Sequence, residues 1–277
     1  MNNHKPGIAK RLSRGETVYG LLTKMSSPAI VELAGHVGFD FVVLDTEHGM
    51  AGAESLEHHL RASDAAGTEA IVRVGGPEPI ETLRALDAGA SGVIVPHVND
   101  AQAAEKAVRA AHYPPNGERG LAVSTRAGRQ GLSDIKDHIE HALENTMVIV
   151  QAEHAEALEN ISEIASSEHI DAIFLGPSDL SLSLGHPGKM DHPTVVRAVD
   201  LIVRTVVESN SAALCVLAAS EEEAHSWEKR GARVILFSAS ALLGERLKRL
   251  SNELNLKEDT GLVGAEIHSD GRKGRTT

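Results

Sequence analysis

The stretch AGHVGFDFVVLD, residues 34–45, has a pattern that two others repeat: ALDAGASGVIVP, residues 85–96, and WEKRGARVILF, residues 227–237. In each, an amphipathic segment ends at a glycine, and a short run of apolar residues follows. A glycine just past the last helical turn is a common helix stop. An apolar run without polar alternation is typical of a strand buried on both faces. Each stretch therefore predicts a helix, a turn and a strand of a parallel sheet.

The same alternation continues along the chain. Strands are expected at residues 18–24, 41–46, 69–74, 92–97, 147–153, 172–176, 212–218 and 233–238. Helices are expected at residues 28–37, 54–66, 79–88, 100–111, 154–165, 193–209, 220–229 and 239–254, with a further helix near 132–143. Eight strands and eight helices in about 250 residues is the count of an α/β protein with a single (β/α)8 TIM barrel domain. A doubly wound open sheet usually has a glycine-rich loop after its first strand, which VYGLLTKMSSP, residues 18–28, lacks.

Composition excludes several classes of protein. The chain has 277 residues, a net charge of −12 and one cysteine, Cys215, which we expect to be a buried small hydrophobe. One cysteine excludes a disulfide-stapled secreted module, and an acidic surface fits neither nucleic acid nor anionic lipid. The longest apolar run, residues 212–219, falls well short of the roughly 20 residues of a membrane span. We expect a cytoplasmic protein with residues 1–256 in the barrel and 257–277 in a disordered tail.

Polar side chains gather where the expected strands end, and this edge of a barrel holds its active site. Burying such groups without partners is costly, so together they predict a site. They are Asp45, Glu47, His48, Arg73, His97, Gln151, Glu153, Ser178 and Asp179.

Glu153 and Asp179 follow neighbouring strands and form a candidate metal pair. Two carboxylates without cysteine suit a hard cation such as Mg²⁺ or Mn²⁺, and leave positions open for water and substrate. The alternative is that each carboxylate stabilises the first turn of the helix that follows it.

Three other residues have both a chemical and a structural interpretation. His48 is a candidate general acid or base, or a hydrogen-bonded structural histidine. Arg73 keeps its charge, so it pairs with a carboxylate such as Asp45 or Glu153, binds an anionic substrate, or does both. Lys24 is a minor candidate for a Schiff base and is more simply a solvated lysine.

Six motifs in order resemble those of the HpcH/HpaI family of class II, metal-dependent pyruvate aldolases. They are FDFVVLDTEHG (39–49), IVRV (71–74), LDAGASGVIVPHV (86–98), YPPNGERG (113–120), VIVQAEH (148–154) and DAIFLGPSDLSLSLGHPG (171–188). The resemblance spans roughly residues 8–250. The family includes 4-hydroxy-2-oxoheptanedioate aldolase and 2-dehydro-3-deoxy sugar acid aldolases. Thr23 and Lys24 depart from its pattern of small or apolar residues after the first strand, so the second-substrate pocket is expected to differ.

The resemblance implies a homo-oligomer, typically a hexamer with an exchanged terminal helix, that uses Mg²⁺, Mn²⁺ or Co²⁺ and no organic cofactor. It assigns the metal to Glu153 and Asp179, acid–base catalysis to His48, and stabilisation of enolate charge to Arg73. The same comparison gives substrate contacts to Gln151, Ser178 and Asp179, and has Asp87 raise the basicity of the histidine.

Within one chain, Asp87 cannot act on His48 as the resemblance implies. It lies at the end of a helix just before a strand, and therefore at the opposite face of the barrel from His48. It either acts across a subunit interface or is structural.

The activity implied by the resemblance joins pyruvate, as its enolate, to an aldehyde, or cleaves the resulting 4-hydroxy-2-oxo acid. Residues 114–129 form a long insertion with Arg119, Arg126 and Arg129, which we expect to cover the acceptor and favour acidic or polyhydroxylated aldehydes. One alternative is a CoA-ester lyase of the citrate lyase β type, although no basic path for a nucleotide is evident. Another is a non-catalytic binding barrel, in which some of the strand-end polar residues should be lost, whereas here the set is intact.

Overall fold

Eight parallel strands close into one barrel in the structure, a computed structural model that describes residues 6–49 and 52–256. Each strand pairs with the next in sequence, and the first pairs with the last. This confirms the (β/α)8 prediction. The strands are β1 (Val18–Thr23), β2 (Phe41–Asp45), β3 (Glu69–Arg73), β4 (Gly92–Val95), β5 (Met147–Ala152), β6 (Ala172–Leu175), β7 (Ala213–Ala218) and β8 (Ala232–Ser238).

The helices between the strands begin and end within three residues of the predicted bounds. Gly38 and Gly67 end α2 and α3 in the left-handed conformation, with φ of 100° and 68°, as the stop signals predicted. Helix α1 was not predicted, and α8 was expected only as a short helical turn after Asp179, at residues 180–184. The helices are α1 (Ile8–Leu12), α2 (Pro28–Val37), α3 (Ala53–Ala66), α4 (Pro79–Asp87), α5 (Ala101–Ala111), α6 (Ile135–Asn145), α7 (Ala155–Ala165), α8 (Pro177–Ser183), α9 (Pro193–Ser209), α10 (Glu221–Lys229) and α11 (Ala239–Glu253).

Alternate residues of the strands face two different cores. Phe41, Val43, Ile71 and Ile149 belong to the cluster inside the barrel, and the residues between them pack in the larger layer beneath the helices. Because side chains alternate along a strand, the next inward positions are Asp45, Arg73 and Gln151. Cys215 is also fully buried in the inner cluster, where burial raises the pKa of its thiol above the usual range. The prediction of a buried small hydrophobe is confirmed.

Residues 114–129 lie at the amino end of the barrel, so the prediction that they cover the pocket of their own chain is wrong. They follow α5, which returns the chain to the amino end of the barrel, and precede α6 and β5, so they lie on the face opposite the active site. Arg119 donates from Nη2 to Asp87 Oδ1 at 3.0 Å, and Arg126 donates to the backbone oxygen of Ala88 at 2.9 Å. Both partners lie at the end of α4.

The chain divides into two compact units after Leu242. The first contains the barrel. Of the second, the described part runs to residue 256 and is the remainder of α11 with a short turn. Within the described residues, no helix is both long and apolar enough to cross a membrane. The predicted tail, residues 257–277, lies outside the described residues.

Candidate active site

Asp45 and Arg73 form a buried ion pair at the carboxyl end of the barrel. The two residues are register partners on β2 and β3, with 2% and 6% of their surfaces exposed. Arg73 donates from Nε to Asp45 Oδ1 at 3.0 Å and from Nη2 to Oδ2 at 2.5 Å. Burial raises the pKa of Asp45, but the hydrogen bonds and charge of Arg73 outweigh it and lower that pKa. The predicted pairing of Arg73 with Asp45 is observed.

A chain of hydrogen bonds continues from this pair to Glu153. Arg73 Nη1 donates to Gln151 Oε1 at 3.4 Å, and Gln151 Nε2 donates to Glu153 Oε2. Glu153 is 1% exposed and also accepts the backbone N–H of His97 at 3.0 Å. A Cβ at Gly176 would lie 2.8 Å from Glu153 Cβ, so only glycine permits the end of β6 to approach this closely. The Glu153 carboxylate is thus held in the pocket.

Glu47 is a site residue that the sequence analysis noted at the strand end without giving it a role. Its Oε2 lies 3.3 Å from Arg73 Nε, and its Oε1 lies 3.4 Å from His97 Nε2. Burial raises the pKa of Glu47, while the charges of Arg73 and His48 oppose the rise. Oε2 is buried and accepts no hydrogen bond from the described residues, since the hydrogen of Arg73 Nε is directed at Asp45. Glu47 therefore keeps an unused acceptor inside the pocket.

Two imidazoles lie beside Glu153. His97 Nδ1 is 2.8 Å from Glu153 Oε1 and 3.1 Å from His154 Nε2. Ligand atoms of these three residues all lie within 4.8 Å of one another. A buried carboxylate with two imidazoles is a donor set that divalent cations accept, so the residues present fit a metal ion. The sequence places His97 at a strand end without indicating a role for it, and His154, next to Glu153, was not predicted as a site residue.

His48 lies just beyond the end of β2, on the same face of the barrel, with half of its side chain exposed. Its backbone N–H donates to Asp45 Oδ1 at 3.1 Å, and its Nε2 lies 3.9 Å from Glu47 Oε2. The ring is thus reachable from solvent and tied through its backbone to the Asp45–Arg73 pair. Lys24 also lies at this edge, with Nζ 4.0 Å from Asp45 Oδ2.

Ser178 and Asp179 are in the first turn of α8, at the carboxyl end of β6, and both are exposed. Asp179 stands outside the group formed by His97, Glu153 and His154. An acidic residue in a first helical turn is favourable by itself. Glu153 does not stabilise the first turn of the following helix, because its side chain accepts hydrogen bonds from the His97 N–H and from Gln151.

Asp87 ends α4 at the amino end of the barrel, where it binds Arg119, whose guanidinium stacks on Tyr113 at 4.6 Å from the ring centroid. This is the face opposite His48. Its position agrees with the two readings left open above, contact across an interface or a structural ion pair.

Comparisons with known proteins bear on the family. Residues 19–241 match HpcH/HpaI aldolase/citrate lyase. The chain belongs to this family. A 2-dehydro-3,6-dideoxy-6-sulfogluconate aldolase of Pseudomonas putida is 40% identical over 70% of this chain and 75% of its own length. A hydroxypyruvate/pyruvate aldolase of Pseudomonas aeruginosa is 33% identical over 87% of this chain and 90% of its own.

A solved structure supports the same family assignment. A crystal structure of a family member from Burkholderia cenocepacia J2315 matches with a TM-score of 0.84 and 32% identity, over 90% of this chain and 98% of that one. This HpcH/HpaI protein is therefore a carbon–carbon lyase of a family that contains divalent metal-dependent aldolases. The resemblance seen in the six motifs is confirmed.

Proposed function

We propose that this chain cleaves 4-hydroxy-2-oxo acids into pyruvate and an aldehyde, and catalyses the reverse addition. The observation that carries the proposal is the hydrogen-bonded series from Asp45 through Arg73 and Gln151 to Glu153. It places a fixed cation beside a buried carboxylate at the barrel's carboxyl end, with His48 on the same face. The named activities of the relatives from the two Pseudomonas species support an aldol reaction of 2-oxo acids.

Glu153 and Asp179 would hold the divalent metal, which is Mg²⁺, Mn²⁺ or Co²⁺. When bound, such an ion acts as a Lewis acid that polarises a carbonyl oxygen. Gln151 and the backbone N–H of Ser178 orient the 2-oxo acid in the pocket, Gln151 from the wall and Ser178 from the start of α8. Asp179 contacts the substrate as well.

Arg73 stabilises the negative charge that develops on the enolate oxygen. Its Nε and Nη2 are committed to Asp45, so the guanidinium plane is fixed before substrate arrives. A fixed charge in a site of low dielectric needs no reorganisation during the reaction, which makes its stabilisation large.

His48 moves the proton of the substrate's 4-hydroxyl to solvent during cleavage and returns a proton to that oxygen during synthesis. Its exposed ring can reach both substrate and solvent, and an imidazole exchanges protons near neutral pH. Asp87 supports this role from another subunit of a homo-oligomer, a hexamer that exchanges a terminal helix, because within its own chain it occupies the opposite face.

The test is release of pyruvate from 4-hydroxy-2-oxo acids by the purified full chain. We expect activity that disappears on exhaustive EDTA treatment and returns with Mg²⁺, Mn²⁺ or Co²⁺. Activity that survives EDTA and is trapped by borohydride with pyruvate would assign the reaction to a lysine. Cleavage of a CoA ester in place of the 2-oxo acid would assign the chain to the citrate lyase β type.

A further inference from the structure

We propose that Lys24 determines which aldehyde the site accepts, by binding a carboxylate at the far end of the substrate. The preferred substrates are then 4-hydroxy-2-oxo diacids. This inference rests on the proposed aldol reaction and assigns the group that recognises the acceptor. It is carried by the position of Lys24 after β1, by its contacts, and by its place across the pocket from Glu153.

Lys24 occupies an inward-facing position at the carboxyl end of β1. Val18 and Leu22 of this strand belong to the cluster inside the barrel. Because side chains alternate along a strand, residue 24 is the next position that faces inward. Its contact agrees, since Lys24 Nζ lies 4.0 Å from Oδ2 of the buried Asp45. The alternation that brings Asp45 into the site therefore brings Lys24 to the same pocket.

The ammonium group of Lys24 is available to a ligand. A separation of 4.0 Å is too long for a hydrogen bond, and Nζ donates none to the residues that the structure describes. Asp45 is already occupied, because it accepts the two hydrogen bonds of Arg73 and the backbone N–H groups of Glu47 and His48. The Lys24 side chain is also 44% exposed. Its three N–H donors can therefore serve a molecule that enters from solvent.

Lys24 faces the 2-oxo acid end of the substrate from the opposite wall. The strands close in sequence order, so β1 and β5 lie half a turn apart and across the barrel from each other. In the proposed reaction the 2-oxo acid is held by Gln151 and Glu153, at the end of β5, and by the start of α8. A substrate that extends across the pocket from there brings the part contributed by the aldehyde to β1.

The strands beside β1 supply uncharged side chains to this wall. Leu217 and Ser238 are the inward positions at the ends of β7 and β8, because Cys215 and Leu236, two residues earlier, belong to the inner cluster. Leu217 is 40% exposed although it lies within a strand. A carbon chain can pack against Leu217, and Lys24 is the charged group that its far end meets.

The charge of Lys24 indicates the class of ligand. An ammonium is a compact point charge, and a single one beside the acidic Asp45 matches one negative charge, so a carboxylate suits it better than a phosphate dianion. The chain carries a net charge of −12, which repels anions, so a diacid needs a cation at each end. Arg73 lies at the 2-oxo acid end and Lys24 at the other.

Calorimetric titration of the full chain, with Mn²⁺ added, tests this assignment with ligands that cannot be cleaved. The diacids are 2-oxohexanedioate and 2-oxoheptanedioate, and the matched monoacids are 2-oxohexanoate and 2-oxoheptanoate. All of them lack the 4-hydroxyl that aldol cleavage requires. We expect the wild type to bind at least one diacid about fivefold more tightly than its monoacid, which is the upper range for an exposed ion pair. The preference should shrink as salt concentration rises.

Two substitutions of Lys24 separate its charge from its other possible roles. Lys24→Met should abolish the preference for the diacid and leave the affinity for the monoacid unchanged. Lys24→Arg should keep the preference, because arginine keeps the charge and cannot form a Schiff base. Lys229→Met is the control, since Lys229 is exposed at the end of α10, on the opposite face of the barrel.

An unchanged preference in Lys24→Met, or no preference in the wild type, would overturn this inference. Equal weakening of diacid and monoacid would also overturn it, because Lys24 would then act through Asp45 and not on the far carboxylate. These titrations need no turnover. A preference for the diacid without pyruvate release rejects only the proposed function, and pyruvate release without the preference rejects only this inference.

Discussion

Arg73 meets Asp45 through two parallel hydrogen bonds, Nε to Oδ1 at 3.0 Å and Nη2 to Oδ2 at 2.5 Å, deep at the end of the barrel. Two-point contact fixes the plane of the guanidinium as well as its position, which a lysine could not do. The third nitrogen, Nη1, remains directed at Gln151. The pair therefore links the stability of the barrel end to the orientation of the guanidinium that we propose stabilises the enolate.

Asp45→Asn should destabilise the protein by about 3–5 kcal/mol, because it leaves a buried guanidinium without its main counter-charge. We expect a value at the lower end of this range, because a second carboxylate, that of Glu47, lies 3.3 Å from Arg73 Nε. Urea unfolding measures the change. Asp200→Asn is the matched control, since Asp200 pairs with Arg230 in an exposed contact of 2.6 Å, and such pairs contribute at most about 1 kcal/mol. Equal losses in the two variants would contradict a structural role for the buried pair.

Asp171 should make the free energy of unfolding depend on pH in the opposite direction from an ordinary ion-paired carboxylate. Burial raises its pKa to about 6, against the hydrogen bond that it accepts from the Val148 N–H. The unfolded value is about 3.9, so between these two pH values the folded state holds a proton that the unfolded chain releases. The free energy of unfolding should therefore fall as pH rises from about 4 to about 6, by up to roughly 3 kcal/mol, and this contribution should level off above pH 6.

Asp171→Asn should remove that fall, because an amide oxygen can still accept from Val148 and does not titrate. Urea unfolding at several pH values from 4 to 7.5 gives the two profiles, with the exposed residue Asp191 changed to Asn as control. A variant profile as steep as that of the wild type would assign the pH dependence to another group.

The sequence predicted most of the inner site because its residues lie on the strands, where side chains alternate regularly between the two faces. Asp45, Arg73 and Gln151 continue the inward alternation of Phe41, Val43, Ile71 and Ile149, so both their depth and their convergence follow from spacing. The side chains beyond the strand ends do not obey that period. The orientation of His97 depends on a backbone φ of 59°, which nothing in the tripeptide Pro96–His97–Val98 specifies.

The position of residues 114–129 was predictable in principle and was assigned to the wrong face. The segment follows α5 and precedes β5, and the order of elements alone places the chain at the amino end of the barrel between a helix and the next strand. The arginines there bind Asp87 and Ala88. Arginine content suggested substrate binding, but topology decides which face a loop can serve.

His48→Gln should lower kcat by about 10²–10⁴, since a general acid–base group contributes on this scale. Mn²⁺ affinity should stay unchanged, because the ring contacts Glu47 and stands outside the group formed by His97, Glu153 and His154. Steady-state pyruvate release and Mn²⁺ titration separate the two effects. His58→Gln, on the exposed surface of α3, is the control. A matching loss of Mn²⁺ affinity would instead make His48 a ligand.

Gly176→Ala should weaken metal binding without changing any ligand. The added Cβ would meet Glu153 Cβ at 2.8 Å and Glu153 Oε2 at 3.2 Å, closer than van der Waals contact, so the carboxylate or the start of α8 must shift. Overpacking of this kind costs about 1–3 kcal/mol. Gly120→Ala is the matched control, because nothing lies within 4 Å of its Cβ position. Mn²⁺ titration and thermal unfolding of both variants should show reduced affinity and stability only for Gly176→Ala. Wild-type affinity in a destabilised Gly176→Ala protein would show that Glu153 can move aside without loss of the ion, and would argue against its role as a fixed ligand.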